Sequence, residues 1–375
     1  MLNPNPKAQR SLVVVVSAGQ SRNPAKRELE KEIATKASNL LGVRVVTIPH
    51  LYDLAPKGES FEALRGIEEN LVVLSWLFDR AAHWVLDRNG IRGQVGEVEL
   101  REEIDEEESG DDEQAEASEE RVTDSQPRPG RRIYCLDFRV SNDASDFVAE
   151  IDRIADECAD EGFSTPAAVS DSSPLTIEML QRHSSPTNDT YVGATHEPNS
   201  EASAESPSLF GVDGLVTIDE HPGRRWYPVI DFSRCTNCME CIDFCLFGVY
   251  GVDVLETIVV EQADNCRKGC PACSRVCPQN AIIFPQHKTP AIAGAPVDTG
   301  GLKIDLSKLF GAPEQDEDAV DVAARERDEQ LILAGREAVG KEVGLKQRVE
   351  EGKASKGAQA DDLDELLDEL DSLDL

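Results

Sequence analysis

The sequence has little positive charge and no long apolar run. Lys and Arg total 38 against 72 Asp and Glu, a formal charge of -34 at pH 7. So anionic a chain is repelled by the phosphate backbone whose neutralisation drives nucleic-acid binding, and nucleic acid is not an expected partner. The longest apolar run, residues 12–16, falls far short of the ~20 residues that cross a bilayer, so no membrane span is expected. It is also shorter than the ~7 to 15 apolar residues of a secretory signal, and the chain reads as cytoplasmic. Nucleotide binding has no support either. G-x-G-x-x-G does not follow the first apolar run, and Ser17-Ala18-Gly19-Gln20-Ser21-Arg22 lacks the Gly-Lys-Ser/Thr core of a phosphate-binding loop.

What the chain does have is 375 residues, enough for two or three domains. Its acidity is concentrated in two places. Residues 96–120 hold 14 acids and one base, and residues 361–375 hold eight acids and no base, so these segments contribute -13 and -8 of the -34. Both repel themselves too strongly to pack. Before the first acidic run, residues 12–17, 43–48 and 71–76 read as strands and residues 25–41 and 80–87 as helices; after it, 132–140 reads as a strand and 147–158 as a helix. Alternation of this kind predicts an α/β domain with a parallel sheet over residues 1–163, the acidic stretch 96–127 being an inserted loop. Residues 164–208, rich in Ser, Thr, Pro and Glu, offer too little apolar surface to offset their ordering entropy and read as a disordered linker. A cysteine-rich domain is expected over 209–285. Residues 286–375 read as an extended stretch, then charged helices interrupted at Gly335, Gly340 and Gly344, then the acidic tail.

Eight of the ten cysteines fall within 43 residues. Without an export signal they belong to a reducing compartment, where clustered thiols hold metal more often than they form disulfides. Cys235, Cys238, Cys241 and Cys245 form C-x2-C-x2-C-x3-C; Cys266, Cys270, Cys273 and Cys277, followed by Pro278, form C-x3-C-x2-C-x3-C-P. Three cysteines at two-residue intervals wrap a loop around three irons of a cubane, and a more distant cysteine supplies the fourth thiolate. Two alternatives stand beside this. C-x3-C-x2-C is also the spacing of radical S-adenosylmethionine enzymes, which need a large barrel where only 102 residues follow Cys273. Paired CxxC units also bind structural zinc, which rarely needs a third cysteine at this spacing.

These motifs resemble the bacterial-type ferredoxins that carry two 4Fe-4S clusters, over about 80 residues. The resemblance implies a ferredoxin-like α+β domain in which Cys235, Cys238, Cys241 and Cys277 hold one cluster and Cys266, Cys270, Cys273 and Cys245 the other. It also implies an electron relay serving a redox partner protein. This sequence departs from the pattern in two ways: Leu246 follows Cys245 where the family usually has proline, and three residues separate Cys266 from Cys270, an excess Gly269 absorbs if it takes positive φ.

The other segments carry less. Residues 14–30 are similar to the first strand, loop and helix of small tetrapyrrole metal chelatases, yet the histidine expected in that loop is absent, with Ser17 and Gln20 nearby. His83 and His50 read as half-buried surface residues rather than metal ligands. Cys135 and Cys158 read as small apolar side chains. In the tail, Leu363, Leu366, Leu367, Leu370 and Leu373 fall at helical spacing among acids, so residues 361–375 read equally as a solubilising tail or as a helix docking in a basic-rimmed groove. The functional expectation is an electron carrier or redox subunit. The alternative is a ferredoxin-fused enzyme whose α/β domain binds a substrate in a polar pocket at the carboxyl ends of its strands.

Overall fold

A computed structural model gives the fold, and the structure describes residues 11–101, 120–126, 128–160, 214–296, 319–341 and 343–344. The expected linker at 164–208, the tail at 361–375 and most of the acidic insertion lie outside the described residues. Strand β1, Leu12–Ser17, is buried along its whole length. Its stiff valines serve both faces, which suits a strand with parallel neighbours on either side and helices above and below. Helix α1, Pro24–Ala37, follows; Asn23 caps it by accepting the Ala25 N–H at 3.0 Å, and Pro24 sits where no intrahelical donor is needed. Then come β2 (Val43–Ile48), α2 (Glu59–Arg65), β3 (Asn70–Ser75), α3 (Asp79–Arg88) and the two-residue β4 (Gln94–Val95). The short α4 (Val122–Ser125) leads to β5 (Arg132–Asp137) and α5 (Ala144–Asp160).

The sheet is parallel, as the alternation predicts, with order β4-β5-β3-β1-β2 and then β6 (Leu215–Thr217) at the edge. Its edge strand β6, Leu215–Thr217, comes from the far side of the expected linker and pairs with Val45, Val46 and Thr47 of β2. Three residues, two of them exposed, are too few for period-two alternation to mark a strand. Val14, Val16, Val45, Val72 and Leu74 point to the face covered by α1 and α5. Val13, Val15, Val46, Val73 and Cys135 point to the face covered by α2 and α3.

The rest of the described chain lies beyond α3. It contains β7 (Val229–Ile230), α6 (Glu240–Phe244), β8 (Tyr250–Val252), β9 (Ile258–Val260), α7 (Ala272–Val276), β10 (Ile282–Ile283), α8 (Pro290–Ala293) and α9 (Ala319–Leu333). β7 pairs antiparallel with β10, and β8 with β9. One apolar core runs unbroken from the sheet through α3 to the cysteines. Helix α3 is therefore buried on every side, from Ala81 to Asp87. Asp231, 1% exposed, accepts from Arg80 of α3, from the Ser233 N–H and hydroxyl, and lies 3.6 Å from Arg234. Among the described residues no helix is long and apolar enough to cross a membrane.

Tyr52 is the innermost link between the two parts. Its ring stacks on Tyr227 at 4.3 Å, its hydroxyl accepts the Tyr227 N–H at 2.6 Å and donates to the Tyr227 carbonyl, and the Tyr227 hydroxyl donates to the Tyr52 carbonyl at 3.0 Å. Tyr52→Phe keeps the stacking and strands two buried backbone groups, so it is expected to cost about 1–3 kcal/mol. Denaturant unfolding of the two proteins checks this; an unchanged midpoint and slope would contradict it.

Candidate metal centre

The eight clustered cysteines gather around two cavities. The first is lined by Cys235, Cys238, Cys241 and Cys277, the second by Cys266, Cys270, Cys273 and Cys245. In each tetrad, three sulfurs come from one loop and the fourth from the other. Helix geometry makes this exchange. Cys241 lies in α6 and Cys245 caps its C-terminus in extended backbone; Cys273 lies in α7 and Cys277 caps it in the same way. One helical turn thus carries each pair, and termination of the helix turns the second thiol toward the opposite cavity.

Backbone of unusual hand shapes the loops. Asn237 and Met239, between the first three cysteines, have φ of 60° and 63°, and Gly269 has φ of 86°. The extra residue of the second loop is thus taken up at Gly269, where glycine bears that conformation without steric cost. The Asn237 and Ala281 N–H groups donate to Cys235 and Cys277 Sγ at 3.4 and 3.3 Å, and the Tyr250 hydroxyl donates to Cys273 Sγ at 3.1 Å. The α/β part steadies the first loop as well: the Val122 N–H of α4 donates to the Cys235 carbonyl at 2.9 Å, and Arg121 donates to the Arg234 carbonyl at 2.8 Å. A side chain of Asn237 ties the loop to the β8–β9 hairpin, donating to Glu256 O and accepting from the Ile258 N–H, each at 2.9 Å.

Burial pushes Cys235 and Cys270 up to about 11, and raises Cys241, Cys245, Cys266, Cys273 and Cys277. Such thiols keep their protons until a cation takes the proton's place, which is the chemistry of a metal-binding donor set. Among the described residues no three His, Cys, Asp or Glu side chains stand close enough to share one ion. Four thiols line each cavity, a donor set whose chemistry fits an iron-sulfur cluster.

Cys135 and Cys158 stand apart from both tetrads. Cys135 is buried in the sheet, where desolvation raises its thiol, and Cys158 Sγ lies 3.7 Å from the Tyr134 hydroxyl. His83 is not a half-buried surface residue: it is 4% exposed because α3 is covered on its outer side by the cysteine-bearing segment, and it packs edge-on against Trp84 at 5.2 Å. His50, close to Asp53, is lowered by burial.

The carboxyl end of the sheet is occupied by its own side chains. Ser17 Oγ accepts the Leu51 N–H at 2.9 Å; Glu30 Oε1 accepts from the Gly19 N–H at 2.8 Å and from Trp76 Nε1 at 2.6 Å. Asp53 accepts from Gln20, from the Arg225 N–H and from Gln286. Thus Ser17 and Gln20 serve the fold there. A cleft of about 490 Å³ opens elsewhere, between the end of α3 at Arg88 and Asn89 and strands β7 and β9. Ile230 lines both this cleft and the first cysteine cavity.

Comparison with known proteins agrees with the cysteine chemistry. Over 66 residues, 17% of this chain and 44% of the relative, the sequence is 48% identical to an uncharacterized ferredoxin of Methanocaldococcus jannaschii. Over 59 residues, 16% of this chain and 66% of the relative, it is 36% identical to the pyruvate synthase subunit PorD of the same organism. The chain thus spans under two thirds of the length of each. No family model and no solved structure matches it.

Burial also sets a pH dependence away from the cysteines. Desolvation pushes His83 down to about 4, while the unfolded imidazole takes a proton below about 6.5. Its contribution is complete above pH 6.5 and is lost as the pH falls toward 4, amounting to about 2 kcal/mol by pH 5. Denaturant midpoints at pH 7 and pH 5 should lie closer together for His83→Leu than for the wild type; identical pH profiles would refute the assignment.

Proposed function

We propose that the chain is an iron-sulfur electron-transfer protein holding two 4Fe-4S clusters, and that it relays single electrons to or from a redox partner protein. Cys235, Cys238, Cys241 and Cys277 would hold the first cluster; Cys266, Cys270, Cys273 and Cys245 would hold the second. The observation that carries this reading is the sorting of eight thiols into two tetrads, each completed by a cysteine of the other loop. Similarity to a ferredoxin and to a pyruvate synthase subunit supports it, and residues 214–296 are then a ferredoxin-like α+β unit. Bound there, such clusters supply one-electron chemistry with little nuclear rearrangement.

The protein's own groups set the conditions for that chemistry. The N–H donors at Asn237 and Ala281 and the Tyr250 hydroxyl aim positive charge at cysteine sulfur, which favours the more negative, reduced state. Cys238 is the exposed cysteine of the first tetrad, so a partner gains its shortest approach there. A second reading, in which the α/β part holds a substrate, has one observation in its favour: the cleft beside α3, separated from the first cavity by Ile230. The carboxyl ends of the strands, where such a site is usual, are filled by the hydrogen bonds of Ser17, Glu30 and Asp53.

Anaerobically purified protein should contain about eight iron and eight acid-labile sulfide per chain and give paramagnetic signals after dithionite. Cys241→Ser and Cys266→Ser should each disturb a different signal, while Cys135→Ala retains the full iron count. Zinc without sulfide, or four irons with cleavage of S-adenosylmethionine, would replace this reading; loss of one and the same signal in both serine variants would break the cross-assignment.

A further inference from the structure

The second tetrad has a wall built from the far end of the described chain. Helix α9 lies against α7, where Arg275 and Glu326 pair at 2.9 Å. Beyond it, Arg336 donates to the carbonyl of Leu246, next to Cys245, at 2.7 Å. Gly344 seats the following turn on α6 so closely that a Cβ would stand 2.5 Å from the Asp243 carbonyl oxygen and 2.8 Å from Phe244 Cα.

Arg327 is the innermost residue of this covering. It is 1% exposed, its guanidinium lies 4.5 Å from the centre of the Phe244 ring, and it lines the second cavity with the four cysteines. Its Nη1 and Nη2 donate to the carbonyls of Val343 and Gly340 at 2.8 and 2.6 Å, and its Nε to Asp328 at 3.2 Å. Asp328 does not line the cavity, and Glu326 is engaged by Arg275. Among the described residues, the charged side chains on the second cavity are Arg327 and Arg267, whereas the first cavity has Glu240. The guanidinium keeps its charge at any working pH. A buried charge is a poor source of stability, so its place beside the tetrad is better explained by the field it exerts.

We propose that Arg327 gives the second cavity a higher reduction potential than the first, so that a single electron on the protein rests with Cys266, Cys270, Cys273 and Cys245. This rests on the two-cluster reading above. A fixed cation stabilises the state with one more negative charge, and low-dielectric surroundings strengthen that effect. The acid beside the first cavity acts in the opposite sense. Arg327 is a positioning charge: it ligates nothing and acts on the potential through its field.

The test is a potentiometric titration of the full chain followed by electron paramagnetic resonance, with the two signals assigned through Cys241→Ser and Cys266→Ser. In the wild type the second-cavity signal should appear first. Arg327→Met, of similar length and uncharged, should keep eight irons, lower the potential of that signal and spread the spin over both at half reduction; Arg327→Lys should restore the order. Unchanged potentials in Arg327→Met with eight irons would overturn the proposal. If Arg327→Met loses four irons, Arg327→Lys decides: a restored count with the wild-type order supports the charge, and a second loss shows an anchoring role and overturns it. Gly344→Ala, which displaces the turn that receives Arg327, should shift the same potential downward; a shift confined to the first signal would contradict the assignment. A wild-type iron count far from eight would instead sink the two-cluster reading itself.

Discussion

Helix termination at a thiol is the constraint on which the cysteine-bearing segment depends. Cys245 and Cys277 each leave the helical path at the residue where α6 and α7 stop, and each thereby completes the ring of sulfurs begun by the other loop. Neither half can close its own tetrad. The two loops must be built together, and short antiparallel pairs such as β7 with β10 hold their ends in register.

The α/β part acts as a buttress for that arrangement. Helix α3, buried between sheet and cysteines, fixes the first loop through Arg80 and Asp231, while α4 grips it through the Cys235 carbonyl. The polar groups at the carboxyl end of the sheet are spent on one another and on Arg225 and Gln286. This favours a supporting role over substrate binding at the strand ends, and leaves the cleft beside Arg88 as the place where a small molecule would sit near the first tetrad.

Strong periodic signals in the sequence were legible. The valine run of β1 and the amphipathic pattern with Phe147, Ile151 and Ile154 each express one dominant local rule, and the structure places those elements accordingly; the cysteines that the spacing singles out line two cavities. The positive φ at Gly269 was legible for the same reason, since one excess residue needs a turn that glycine accommodates. Features set by tertiary context were not. His83 reads as an ordinary helical residue because nothing local says that a second layer covers α3. The three residues of β6 are too short to carry a period, and Arg327, one arginine in a helix crowded with charges, gives no local sign that it turns inward.

The return of β6 to the sheet has a consequence for the covalent connection between the two parts. Leu215–Thr217 is hydrogen-bonded to β2, and Tyr227, Asp231 and Arg225 are engaged by residues from Tyr52 to Arg80. A protease that severed the chain between residues 161 and 213 would therefore release nothing: the fragments would migrate together until denatured, behaving as a heterodimer made from one gene product.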